Sequence, residues 1–123
     1  MIQQALWVAL GGAVGSVGRF LIGTYAQRWW PGVFPWGTLI ANVVGALCIG
    51  LFFGLFSRGQ LTESQRLLLM TGFCGGFTTF STFAQENLML LRQGEWGTLL
   101  LYTGISLLAG LGAVALGMSL SRG

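Results

Sequence analysis

The sequence predicts an all-α integral membrane protein with four transmembrane helices, the third of them broken. Hydrophobic residues make up 54% of the 123 residues and charged residues only 7%, a balance that soluble globular domains do not have. Four segments carry no charge, at 1–18, 29–57, 67–85 and 96–121, and each approaches or exceeds the ~20 residues of a span. Inside the third of these segments lies a cluster of glycine and hydroxyl residues that favours turns over regular helix.

The spans and their short loops use almost the whole chain, so residues 1–123 are predicted to form one transmembrane domain. The first segment has no basic n-region, and three further spans follow it, so we expect a span and not a cleaved signal. The six arginines are scattered, and the chain has no Lys, Asp or His. Nucleic-acid binding, which needs clustered basic residues, and enzymatic catalysis are therefore not expected.

The first span is predicted from about Gln4 to Tyr25. Gly11 and Gly15 form a small-xxx-small pair, which allows helices to approach closely. Arg19 is the unusual residue of this span. It either extends to the lipid headgroups or lines a polar vestibule, and the sequence leaves both open.

The second span is predicted from Trp36 to Ser57, and Asn42 stands alone in it among apolar residues. A buried amide needs hydrogen-bond partners. Asn42 therefore either bonds across a helix interface or donates its N–H groups to an anion or to another pore group.

The third span is predicted to begin after a capping box at Thr62 to Gln65, to end near Leu91, and to break between Gly75 and Thr79. Non-helical backbone at membrane depth is tolerated only where it is buried in protein, lines a water-filled cavity or holds an ion. We therefore interpret the break as functional.

Beyond the break, Phe80 and Phe83 share a helical face at i, i+3. They either pack in a core or line the site at the break. Glu86 lies seven residues after Thr79, about 10 Å along a helix axis, which predicts a position toward an aqueous mouth.

The fourth span is predicted from Trp96 to Ser121. Tyr102 and Ser106 lie at i, i+4 and form a polar stripe on an apolar helix, a candidate pore wall. The alternative is that such hydroxyls bond back to the i−4 carbonyl.

The arginines predict no fixed orientation. With four spans, three arginines fall on each side of the membrane: Arg58, Arg66 and Arg122 on one, Arg19, Arg28 and Arg92 on the other. Since the Lys/Arg bias sets orientation, a balanced chain inserts both ways. This predicts a dual-topology, antiparallel homodimer.

Three motifs in order resemble the Fluc (CrcB) family of fluoride channels. They are Gly11-Gly-Ala-Val-Gly-Ser-Val-Gly-Arg19-Phe, Gly37-Thr-Leu-Ile-Ala-Asn42-Val-Val-Gly45 and Gly72-Phe-Cys-Gly-Gly-Phe-Thr-Thr-Phe-Ser-Thr-Phe83. The third motif is highly specific, and the resemblance covers most of the chain. It implies a fluoride-selective ion channel in the bacterial plasma (inner) membrane that exports cytoplasmic fluoride passively through two pores of an antiparallel homodimer surrounded by lipid.

The resemblance also implies roles for individual residues. Phe80 and Phe83 would form a phenylalanine box along each pore, which Asn42 helps to hold. Ser81, Thr82, Tyr102 and Ser106 would lie on or near a polar track, and Arg19 and Glu86 in or near the vestibules. A central structural sodium ion would be bound by the backbone carbonyls of Gly75 and Thr78 from both chains. One departure is Gly110, which stands where the track usually carries another hydroxyl residue.

The alternative function is a small dual-topology, proton-coupled multidrug exporter. Such a carrier needs an ionisable carboxylate deep in the membrane. The first span has no acid, and Glu86 is predicted to lie away from the midplane.

Overall fold

The computed structural model describes residues 1–122, without the side chain of Arg122, and every regular element in that part is a helix. The place of Arg122 in the charge count, and Gly123 at the end of the predicted domain, lie outside the described residues. The helices are α1 (Ile2–Trp29), α2 (Trp36–Ser57), α3 (Glu63–Arg66), a π-helix (Leu67–Cys74), α4 (Gly75–Phe77), α5 (Phe80–Arg92) and α6 (Trp96–Arg122).

Four helical segments of the described chain are long and apolar enough to span a membrane. The second span, Trp36–Ser57, has the predicted bounds. The first is longer at both ends than predicted, because helix continues through the polar start of the chain and into the aromatic residues at Trp29. The four-helix prediction is confirmed.

The third span, Glu63–Arg92, consists of several helical pieces. It starts at the predicted capping box, in which Thr62 and Gln65 bond each other's backbone. A π-helix follows, with the wider turns that often accompany functional sites. The break is confirmed but is shorter than predicted, because Gly75–Phe77 is still helical. The chain leaves the helix only at Thr78 and Thr79, where the backbone is extended.

Hydroxyl side chains fix the place of the break. The N–H and the Oγ1 hydroxyl of Thr78 both donate to the carbonyl of Cys74, at 3.0 and 2.9 Å. Thr79 then caps α5, since its Oγ1 accepts from the N–H of Thr82 at 3.2 Å. The paired glycines predicted the neighbourhood of the break, and these two threonines determine its position.

Glycine contacts hold the spans together. A side chain at Gly11 or Gly15 of α1 would collide with the backbone of Leu68 or Phe73 in the π-helix. Gly50 of α2 meets the backbone of α6 in the same way, at Val114. Small residues at these points allow the helices to approach closely, as the spacing of Gly11 and Gly15 predicted.

Candidate functional site

The break is bridged by the side chain of Asn42. Its Nδ2 donates to the carbonyl of Thr79 at 3.1 Å, and its Oδ1 accepts from the N–H of Thr79 at 2.8 Å. An amide thus replaces both backbone hydrogen bonds that Thr79 loses by leaving the helix. Of the two roles left open for Asn42, the structure shows the bond across a helix interface. The second N–H of its NH2 group is not used in either bond.

Arg19 bonds the same region from α1. Its Nε donates to the carbonyl of Gly76 at 3.1 Å. The side chain lines a cavity of about 540 Å³ together with Gln27, Thr82 and Glu86. Arg19 is thus bonded inside the protein and lies on a cavity, as expected if it lined a vestibule; we call this space the vestibule cavity.

Two other carbonyls at the break have no protein donor. Among the described residues, no hydrogen bond reaches the backbone oxygens of Gly75 or Thr78. Unpaired carbonyls are costly at membrane depth. Oxygen atoms of this kind are the ligands that hard cations prefer, so the two residues fit the predicted sodium site. The described chain has no cluster of three or more His, Cys, Asp or Glu residues suited to another metal.

Glu86 is held by two hydroxyl groups. Thr38 Oγ1 donates to its Oε2 and the Tyr102 hydroxyl to its Oε1, both at 2.8 Å. The carboxylate is partly buried and lines the same cavity as Arg19. Both of its oxygens are therefore directed at donors inside the protein, on a cavity with polar walls.

Phe80 and Phe83 border a second space, an open groove of about 500 Å³ that Asn42, Thr79 and Ser106 also line. Their ring centroids are 6.0 Å apart. Phe83 is partly buried and lies 5.0 Å from the ring of Tyr102, whereas Phe80 is 79% exposed. The chain alone therefore leaves one face of this aromatic pair uncovered.

The predicted track hydroxyls occupy different environments. Ser106 Oγ is buried and has no hydrogen-bond partner among the described residues. It does not bond back to an i−4 carbonyl, and it lines the groove beside the phenylalanines. Tyr102 is wholly buried. Thr82 lines the vestibule cavity, and Ser81 is exposed, with its hydroxyl 3.3 Å from Thr79 Oγ1.

Three residues of this site received no functional role from the sequence. Thr79 is the bonding partner of Asn42, and Thr38 bonds Glu86. Phe34 packs edge-on against Tyr102. Thr38 could have been found, because it lies four residues before Asn42 and so on the same face of α2.

Thr79 lines both the vestibule cavity and the groove, so the two spaces lie on either side of the break. Their walls offer amide and hydroxyl groups, aromatic edges and, on the vestibule side, one arginine and one glutamate. The fold and the site together define a class: a polytopic helical membrane protein with a polar site at an interruption in its third span.

Comparison with known proteins identifies the family. The family model for CrcB-like protein, Camphor Resistance (CrcB), matches residues 6–118. A protein of Nitrobacter winogradskyi is 44% identical over 95% of this chain and 94% of its own length. A protein of Rhizobium etli is 45% identical over 97% of this chain and 96% of its own length. A protein of Bacteroides fragilis is 43% identical over 94% of both chains. All three are named fluoride-specific ion channel FluC. The chain belongs to the CrcB family and is a multi-pass bacterial membrane protein.

Proposed function

We propose that this protein is a fluoride channel through which cytoplasmic fluoride leaves the cell passively. The observation that carries the proposal is the buried, unpartnered hydroxyl of Ser106, which lies in a groove beside Phe80 and Phe83. An unpaired buried polar group is costly, and rotation of the Ser106 side chain toward the groove would let this hydroxyl donate a hydrogen bond to a passing fluoride ion. Three full-length relatives named as fluoride channels support the same function.

The groups along this route suit an anion that must both enter and leave. Arg19 offers a positive charge to an entering anion, while both oxygens of the Glu86 carboxylate in the same cavity are bonded by Thr38 and Tyr102. Beyond Thr79, the donors are hydroxyl and amide groups, and the positive edges of Phe80 and Phe83 face the ion without a full charge. Weak, repeated contacts of this kind permit conduction, whereas a tight site would hold the ion.

We propose further that two chains assemble as an antiparallel homodimer with two pores. The exposure of Phe80 supports this, because a partner is needed to enclose the groove that one chain leaves open. The balanced arginine count supports the antiparallel arrangement.

Adding two or three lysines to one loop should fix the orientation and abolish activity when that variant is expressed alone. Co-expression with the oppositely biased variant should restore activity. Full activity of a single biased variant would contradict the arrangement.

A sodium ion bound by Gly75 and Thr78 of both chains is a third element of the proposal. Four otherwise unpaired carbonyls would be satisfied by one ion on the dimer axis. In one chain, a side chain added at Gly75 meets nothing within 4 Å. A severe assembly defect in Gly75→Val would therefore point to a close partner at this site, while Thr78→Ser should be mild because the ligand is main chain. An experimental map with only water between the two breaks would contradict the ion.

The decisive experiment is fluoride efflux from liposomes that contain the purified protein, with chloride as control. A passive channel should release fluoride only when a potassium ionophore carries the compensating charge, with no need for a proton or sodium gradient. Efflux driven by a proton gradient would indicate a coupled carrier.

The multidrug-exporter alternative is not favoured, since the relatives compared are named as fluoride channels. A channel of this kind is also not an enzyme.

A further inference from the structure

A continuous series of aromatic rings connects the first loop to the groove. Phe34 lies 4.5 Å from Trp36 and 5.5 Å from Tyr102, centroid to centroid. Tyr102 lies 5.0 Å from Phe83, which lies 6.0 Å from Phe80. The contact of Phe34 with Tyr102 is edge-on, at an interplanar angle of 75°, the geometry that aromatic pairs prefer. The groove residues are therefore in contact with a loop that lies outside the spans.

Phe34 is inserted into the protein from that loop. The loop joins α1 to α2 and contains Gly32 at φ 144°, a backbone conformation that other residues rarely adopt. Phe34 is partly buried and packs against the cluster of Leu39, Leu90 and Tyr102. Tyr102 itself is fully shielded from solvent. The loop thus places one aromatic ring over the only tyrosine of the proposed track.

The same ring lines two of the cavities that Glu86 lines. Two cavities, of about 100 and 500 Å³, are each lined by both Phe34 and Glu86. The larger one is also lined by Gln27, Gln85 and Gln93, so polar side chains lie beside the Glu86 carboxylate. Removal of the Phe34 ring would join these spaces to the buried face of Tyr102 and admit water there.

Tyr102 contacts both the vestibule cavity and the groove, through Glu86 and Phe83. Its hydroxyl donates to Glu86 at 2.8 Å, and its ring packs against Phe83. A shift of this one side chain therefore moves both a vestibule carboxylate and a groove phenylalanine. If Tyr102 moved away, the hydrogen bond from Thr38 would be the one left to Glu86 among the described residues.

We infer that Phe34 is a positioning residue for conduction: it sets Tyr102, and through it Phe83 and Glu86, in the arrangement that passes fluoride in preference to larger anions. The inference rests on the proposed fluoride channel. Phe34 does not line the groove with Phe80 and Phe83, so its effect on selectivity is indirect. An effect on stability alone would be expected of an ordinary packing residue.

The test compares Phe34→Leu with Phe53→Leu in liposomes, measuring fluoride and chloride efflux per folded dimer. Phe53 is an exposed phenylalanine of α2 that lines none of the cavities around Glu86 or the groove. We expect F34L to lower the fluoride-to-chloride flux ratio about 2- to 10-fold, the range set by one edge-on aromatic pair. F53L should leave the ratio unchanged. If F34L gives no folded dimer, Phe34→Met, which keeps most of the apolar volume, replaces it in the same comparison.

A second substitution tests whether Phe34 acts through Tyr102. In a Tyr102→Leu background there is no ring for Phe34 to position, so F34L should lower the ratio no further; independent sites would instead show additive effects. An equal loss in both backgrounds, or an unchanged ratio in F34L, would overturn the inference. No fluoride flux from the wild-type protein would instead overturn the proposed function, so the two failures are distinguishable.

Discussion

The two faces of α2 contact their neighbours in opposite ways. Toward α6, Gly50 lies so close to Val114 that a methyl group would collide with its backbone. Toward the third span, Thr38 and Asn42 extend polar side chains that replace missing hydrogen bonds or hold a carboxylate. The first face shows how a membrane helix is packed without polar groups. The second shows how polar side chains from a neighbouring helix satisfy the backbone of an interrupted span.

The difference between the two faces of α2 predicts that substitutions on one face affect stability and substitutions on the other affect conduction. The contact of Gly50 with the backbone of α6 is one of close packing, so damage there should remove the fold and conduction together. The polar face surrounds the break, so damage there should reduce conduction while much of the packing survives. Substitutions on each face can therefore test the distinction.

The largest effect is expected at the glycine face. Gly50→Val would force a branched side chain into the backbone of α6, and overpacking of this kind costs about 1–3 kcal/mol or more. We expect loss of most of the folded protein, measured as the monodisperse fraction in size-exclusion chromatography. Gly112→Val is the control, because a side chain there meets nothing within 4 Å. Equal yields of the two variants would contradict the packing account.

The groove phenylalanines should give a smaller, purely functional effect. Phe83→Ile keeps apolar bulk but removes the ring edge, and we expect fluoride flux to fall about tenfold. The same change at Phe80 should act similarly. Dimer content should remain close to the wild-type value in size-exclusion chromatography. If both variants conduct normally and are only less stable, the rings pack a core and do not line a pore. Phe53→Ile is the matched control.

The smallest effect is expected at Thr38. Thr38→Val keeps the shape of the side chain and removes its hydrogen bond to Glu86, for an expected fall in fluoride flux of about 2- to 5-fold. Thr98→Val is the matched control, since Thr98 donates to Glu95 at an exposed site. Equal losses in the two variants would show that a threonine–glutamate bond has no special effect at the break.

Much of the fold could be predicted from the sequence. Charge-free segments predicted the four spans, glycine spacing predicted close helix packing, and the capping box at Thr62 predicted where the third span begins. These signals are local, so they can be read without knowing what packs where. The π-helix at Leu67–Cys74 could not be predicted, because its residues resemble those of an ordinary apolar helix.

The candidate site was predictable as a set of residues but not as a set of contacts. Asn42 and the residues after Gly75 stood out because polar groups are rare in such spans. Their bonding depends on which helix faces meet. The link of Asn42 to Thr79, and that of Arg19 to Gly76, each join residues 37 or more positions apart. Phe34 was missed because an aromatic residue in a membrane loop is ordinary, and only the fold places it on Tyr102.

The most direct test of the account is fluoride flux per folded dimer in Asn42→Leu. Leucine branches at the same carbon as asparagine but cannot bond Thr79, so it leaves an N–H and a carbonyl unpaired at the break. Each such group costs about 1–3 kcal/mol, so the account predicts a fall in flux of about tenfold or more with the dimer still present in size-exclusion chromatography. Flux at the wild-type level from an intact N42L dimer would contradict the claim that the polar face of α2 holds the conducting structure.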